Sequence, residues 1–201
     1  VNVVGDHATH HLRYESPLKG DIQGISDAVS HWTRLSGDAA SIAADGAAAI
    51  QASRAQNGQI ATLVLPADTA WNEVHSSVLP LAGEQALHRP SQQEIEAAAQ
   101  RLKTEGAALL IGDSALFGSL RTLAGKIAAA TGCRLMADTL IPRISKGAGT
   151  AKLDQLVYAV EPKIAQLVGT SSITLIGADR PVAFFAYPYT PSVAIPAGRT
   201  T

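Results

Sequence analysis

Short apolar runs alternate along the chain with longer, alanine-rich stretches of helical spacing, the rhythm of a parallel α/β architecture. The runs predict strands over residues 2–4, 60–65, 107–111, 134–137, 172–176 and 182–185. A further strand-like run, Pro191-Ser192-Val193-Ala194-Ile195, follows them. Leu116, Leu120, Leu123 and Ile127 recur at spacings of three and four, which predicts a helix buried on that face and stopped by Gly132. Ser91 followed by Glu94 is a capping-box pattern, so a helix is expected from there to Thr104, ended by Gly106. A shorter helix over 163–168, opened by Glu161-Pro162, is expected to pack through Ile164, Leu167 and Val168.

Between residues 67 and 90 the periodicity lapses, and Trp71, His75 and His88 stand without pattern. So long a stretch without regular structure is unusual inside one compact domain. It reads as a linker over 71–90, laid on the surface by Trp71 and the apolar patch at 78–81. Residues 1–70 then form one partial domain and residues 91–201 a near-complete one. The chain opens directly on Val1-Asn2-Val3-Val4 and stops soon after its last strand-like run. Domains usually begin and end in surface segments, so the expectation is an excerpt from a longer polypeptide.

Composition narrows the classes of function. Hydrophobic residues at 46% against charged residues at 16% support a packed core and exclude a disordered chain. Sixteen Lys and Arg against seventeen Asp and Glu leave a net charge of −1 without a basic stripe, so nucleic acid is not an expected partner. Cys133 is the one cysteine and has no internal partner, which fits a reducing cytoplasm. No apolar run reaches the roughly 20 residues that cross a bilayer, and no membrane partner is expected.

Several local patterns invite chemistry. Gly112-Asp113-Ser114 follows a predicted strand, where hydrolases place a nucleophilic serine. Such a serine needs a histidine base, normally later in the chain, yet all six histidines lie at or before position 88. The pattern therefore reads as a strand-to-helix turn in which Asp113 or Ser114 caps the helix. His7, His10 and His11 are close enough to share a metal, but no carboxylate or cysteine of matching spacing accompanies them, so no metal ligand is assigned. They read instead as an interface loop. Gly147-Ala148-Gly149 is a lone Gly-x-Gly that follows no strand, a weak phosphate signal. Gly112 and Gly177 each follow a strand, the edge at which α/β sheets receive ligands, and are the candidates for a nucleotide site. The competing explanation for both is the backbone freedom of glycine.

Three blocks carry a resemblance. They are Val3-Val4-Gly5-Asp6-His7-Ala8-Thr9, then Asp21-Ile22-Gln23-Gly24-Ile25-Ser26, then Ile60-Ala61-Thr62-Leu63-Val64-Leu65-Pro66-Ala67-Asp68. In order and spacing they resemble the later part of the pyrimidine-binding domain of thiamine-diphosphate-dependent enzymes of the acetolactate synthase large-subunit-like kind. Residues from Ser91 onward, with Arg143-Ile144-Ser145-Lys146-Gly147-Ala148-Gly149 and Phe184-Phe185-Ala186-Tyr187-Pro188, resemble the central domain of that family. The resemblance implies parallel Rossmann-like sheets flanked by helices, without a dinucleotide fingerprint. It also implies a parent that binds thiamine diphosphate and magnesium (Mg), acts on a 2-oxo acid as a lyase or transferase, and forms a homodimer or homotetramer. Gly5, Asp6 and His7 would then stand near the cofactor or a subunit interface.

The same resemblance places no catalytic residue in this chain. The glutamate that protonates the aminopyrimidine would lie upstream of Val3, and the Gly-Asp-Gly motif that holds the metal and diphosphate would lie downstream. No Gly-Asp-Gly triplet occurs here. Pro17-Leu18-Lys19 stands where synthases often carry Phe-Gln-Glu, and the His-containing, Gly-rich flavin stretch has no counterpart after Ile141. Flavin (FAD) binding and acetolactate synthesis itself are thus outside what the resemblance implies. Two readings follow: part of a 2-oxo-acid carboligase or decarboxylase, inactive when isolated, or a non-catalytic Rossmann-like nucleotide-binding or scaffold module. The Gly-Asp-Gly motif and the glutamate in the surrounding gene discriminate between them.

Overall fold

The computed structural model describes residues 1–56, 58–75 and 89–195. The chain divides into two compact units, Val1–His88 and Arg89–Thr201.

In the first unit, strands β1 (Asn2–Asp6), β2 (Trp32–Leu35) and β3 (Ala61–Pro66) form a parallel sheet in the order β1-β3-β2. The register runs from Asn2 opposite Thr62 to Asp6 opposite Pro66, and from Trp32 opposite Ala61 to Leu35 opposite Val64. β3 is the middle strand and the apolar one, since a strand covered on both faces needs apolar residues at successive positions. Helices α1 (Ile22–Val29), α2 (Ile42–Ser53) and the single turn α3 (Asp68–Trp71) accompany the sheet. Asp21 caps α1 by accepting a hydrogen bond from the Gly24 amide at 2.8 Å.

β2 has no counterpart among the expected strands. Trp32-Thr33-Arg34-Leu35 is short and carries a charge, so its pattern is silent. Pairing with β3 makes it a strand, and the Ser36 amide extends that pairing to the Val64 carbonyl at 2.9 Å. Residues expected to lack regular structure from 67 onward begin instead with α3. The apolar patch at 78–81, His88 and most of the expected linker lie outside the described residues.

The second unit holds α4 (Gln92–Leu102), β4 (Ala107–Ile111), a 3-10 turn (Asp113–Leu116), α5 (Gly118–Thr131), β5 (Arg134–Ala137), β6 (Asp154–Gln155), α6 (Val160–Leu167) and β7 (Ser172–Ile176). Its four strands are parallel in the order β6-β5-β4-β7. All five residues of β4 are buried. Ala107, Leu109 and Ile111 face a core with Leu102, Leu116 and Leu135, while Ala108 and Leu110 face another with Met136, Leu156 and Leu167. This is the period-two alternation of a strand with a core on each side. The capping box of α4 is formed on both sides: Ser91 Oγ accepts from the Glu94 amide, and Glu94 Oε2 accepts from the Ser91 amide at 2.7 Å.

Four expectations are corrected. Residues 182–185 and 191–195 form no ladder, only an isolated antiparallel bridge between Val182 and Val193. Pro181, Pro188 and Pro191 remove the amides a ladder requires. On α5, Leu120 and Leu123 are 48% and 52% exposed, while Arg121, Ala124 and Gly125 are buried. Leu116 belongs to the preceding 3-10 turn, and the break at Phe117 and Gly118 (φ 61°) restarts the helix in a different phase. The expected cap by Asp113 or Ser114 is not formed. On α6, Val168 is 73% exposed as the residue after the last turn, and Lys163 is buried in its place.

Candidate functional site

The carboxyl ends of β1 and β3 open on a cavity of about 780 Å³ within the first unit. Gly5, Asp6 and His7 line it together, with His10, His11 and Trp71 among the other walls. The strand end fixes this arrangement. The Asp6 carbonyl accepts from the Ala67 amide at 3.0 Å, and the Asp6 carboxylate turns back to accept from the His7 amide at 2.7 Å. Beyond His7 the chain forms a compact turn, with the His11 and Leu12 amides both donating to the Ala8 carbonyl. The His7 and His11 rings lie 5.6 Å apart, and His11 in turn lies 5.7 Å from Tyr14. Leu18, from the Pro17-Leu18-Lys19 departure, lines the same cavity.

Asp68 ties this turn to the exit of β3. Its carboxylate accepts from the Thr9 amide at 2.8 Å and from the Thr9 hydroxyl at 2.5 Å. Those bonds, the hydroxyl's first, hold the Asp68 carboxyl below the ordinary value of 3.8, because each stabilises the charged form. Thus the first and third blocks of the sequence resemblance are joined physically, Thr9 to Asp68. A second polar anchor was not visible in the sequence. Asp45 accepts from Arg34 at 2.9 Å and from the Ser36 hydroxyl at 2.8 Å, with Ser36 fully buried. Its members are spread over β2, the loop after it and α2, so no local spacing announces it.

In the second unit, Gly112 and Gly177 come together at the carboxyl edge of adjacent strands β4 and β7. The chain leaves β4 for β5 on one side and returns as β7 on the other, so this is the sheet's switch point. The Gly112 amide donates to the Ile176 carbonyl at 2.9 Å. A Cβ on Gly112 would strike the Gly177 carbonyl oxygen, and Gly177 itself has φ 61°. Close backbone approach requires the first glycine, and a left-handed conformation favours the second.

No group of three or more His, Cys, Asp or Glu side chains able to hold a metal comes together among the described residues. With no Gly-Asp-Gly in the sequence, the residues present do not fit the magnesium diphosphate of a thiamine cofactor. Among the described residues, no helix is long and apolar enough to cross a membrane.

Over 200 residues, 98% of its length, the chain is 42% identical to a Mycobacterium tuberculosis protein provisionally named acetolactate synthase large subunit IlvX. The chain is thus similar in sequence to a stretch of a protein that carries an acetolactate synthase large-subunit name. It spans 38% of that relative's length. Its fold matches a provisionally assigned thiamin diphosphate-dependent enzyme from Mycobacterium smegmatis (TM-score 0.67, 16% identity). It also matches benzoylformate decarboxylase from Polynucleobacter necessarius (0.66, 20%) and a thiamine diphosphate-dependent 4-hydroxybenzoylformate decarboxylase from Rhodococcus jostii (0.65, 17%). Each match covers 98% of this chain and 38% of the solved one. At those identities the likeness is one of fold. No family model matches the chain.

Proposed function

We propose that this acetolactate synthase large-subunit-like chain is part of a thiamine-diphosphate-dependent enzyme that cleaves or joins a bond next to the carbonyl of a 2-oxo acid, and is inactive by itself. The observation that carries this reading is the 42% identity to the IlvX protein over nearly the whole chain. The two units correspond, in this reading, to the end of a pyrimidine-binding domain and a central domain. The cofactor and magnesium belong to the whole protein, a cytoplasmic homodimer or homotetramer. When bound, thiamine diphosphate supplies the electron sink for carbanion chemistry. This chain's own contribution is positional. Gly5, Asp6 and His7 face a cavity that an aminopyrimidine ring or a neighbouring subunit would occupy, in support of their place near the cofactor.

A nucleotide contact at Gly112 and Gly177 is the weaker proposal, because the backbone contact between them accounts for glycine without a ligand. A non-catalytic nucleotide-binding or scaffold module rests on fold alone, which many functions share. The test is to read the gene on both sides of this sequence and assay its whole product. A glutamate upstream, Gly-Asp-Gly downstream and cofactor-dependent release of carbon dioxide from pyruvate or benzoylformate are expected. A gene product without those motifs, or with them but no turnover of any 2-oxo acid, overturns the reading.

A further inference from the structure

The Gly147-Ala148-Gly149 turn, set aside as a phosphate signal because it follows no strand, lies against α5 in the second unit. Between them is a cavity of about 440 Å³. Its polar walls are Arg121, Thr122 and Lys126 from the helix and Gly149 and Thr150 from the turn. No aspartate or glutamate lines it. Gly125 lets the turn approach, since a Cβ there would come within 2.7 Å of the Ala151 Cβ.

Arg121 is the anomaly. It is 4% exposed, and one of its nitrogens, Nη2, donates to the Ala151 carbonyl at 2.5 Å. Nε and Nη1 are covered and have no hydrogen-bond partner among the described residues. Among the described residues, no carboxylate forms an ion pair with the guanidinium. Burial therefore works against the charged form of Arg121, with the Ala151 carbonyl its one hydrogen-bond acceptor among the described residues. Arginine nonetheless stays charged in proteins, and an unpaired buried charge is costly. Thr150 steadies the turn beside it, its amide and hydroxyl both bonding the Gly147 carbonyl, the hydroxyl at 2.7 Å. The surroundings are a cation stripped of water, an exposed lysine and a glycine turn, which is an environment for an anion.

We propose that the cavity between α5 and residues 147–151 binds a small phosphate-bearing anion, with Arg121 and Lys126 supplying the opposing charge. Arg121 lines the cavity and is itself buried, so the attraction of its charge for an anion there is less screened than at an open surface. Lys126, at an exposed position, lines the same cavity. The inference is independent of the thiamine reading, since it uses neither the first cavity nor the sheet's switch point.

The experiment is a titration of the whole chain with inorganic phosphate, followed by phosphorus and amide NMR at constant ionic strength, with acetate as the carboxylate control. Saturable shifts are expected at residues 121–126 and 147–151, with a Kd on the order of 1 mM. Lys126→Gln, at an exposed position, should weaken binding about tenfold with the amide spectrum otherwise unchanged. Arg121→Lys should weaken it as well, and Arg121→Gln should abolish it if that variant folds. The proposal is overturned by absence of saturation, by shifts that map elsewhere, by acetate binding as well as phosphate, or by unchanged affinity in Lys126→Gln.

Discussion

Asp68 shows how one side chain can organise a site it does not define. Its two bonds to Thr9 hold the turn after β1 against the exit of β3, and so shape the cavity beside Gly5, Asp6 and His7. Because these bonds lower its folded pKa, Asp68 adds stability above the ordinary carboxylate value of 3.8, and that stability is lost as pH falls through the lower folded value. Thr9→Val removes the hydroxyl bond, the largest cause of the shift. The wild-type advantage in Tm over Thr9→Val should therefore be full near neutral pH and shrink as pH drops below about 4. A difference that stays constant down to strongly acid pH would mean that Thr9 acts by packing alone. Lys163 makes a contrasting case: it is buried with its Nζ 3.2 Å from the Val182 carbonyl, and the helical stripe gave no hint of it.

Elements differ in how plainly they declare themselves. β4, β5 and β7 begin and end where the apolar runs do, and β4, which is covered on both faces, is apolar throughout. Leu109→Ala, at a fully buried position of β4, should destabilise the second unit by about 2–5 kcal/mol in urea unfolding. Leu120→Ala and Leu123→Ala should each change it by only about 0.5 kcal/mol, as exposed positions do. Equal losses at all three would restore the leucine face as the buried one. α4 announces itself through Ser91 and Glu94, and Ser91→Ala should cost about 1 kcal/mol. An unchanged unfolding midpoint for that variant would show the cap to be energetically idle.

For the molecule as a whole, the charge inventory bears on binding. Thiamine diphosphate with magnesium should give no isotherm at micromolar concentration, because a diphosphate without metal ligands or a Gly-Asp-Gly turn leaves its charge uncompensated. A clear micromolar isotherm would contradict this. The units should also differ in independence. Among the described residues, the first has three strands, with β1 and β2 each paired only to β3, whereas the second has four strands and a core on each side of β4. An unpaired parallel edge leaves bare backbone groups and apolar surface. Expressed separately, residues 89–201 should show slow, cooperative amide exchange and residues 1–70 fast exchange. The reverse order would show that the smaller sheet is self-sufficient.

By itself the sequence determined whatever depends on neighbours along the chain. The apolar run of β4 demanded burial on both faces, Ser91 and Glu94 closed a box within one helical turn, and the left-handed Gly132 ended α5. The ordered blocks that resemble acetolactate synthase-like enzymes were legible in the same way. Tertiary structure alone decided what depends on residues remote in sequence. It made Trp32–Leu35 a strand by setting it beside β3, and denied a ladder to 182–185, whose proline-flanked backbone bridges to Val193 and bonds to Ser192 without extending further. It rotated the buried face of α5 from Leu120 and Leu123 to Arg121 and Gly125, because the turn carrying Ala151 packs there. It also brought Thr9 to Asp68 and Gly112 to Gly177, 59 residues apart in the first case. Periodicity records only which way a side chain points from its own element. The surface it meets is set by how the elements pack.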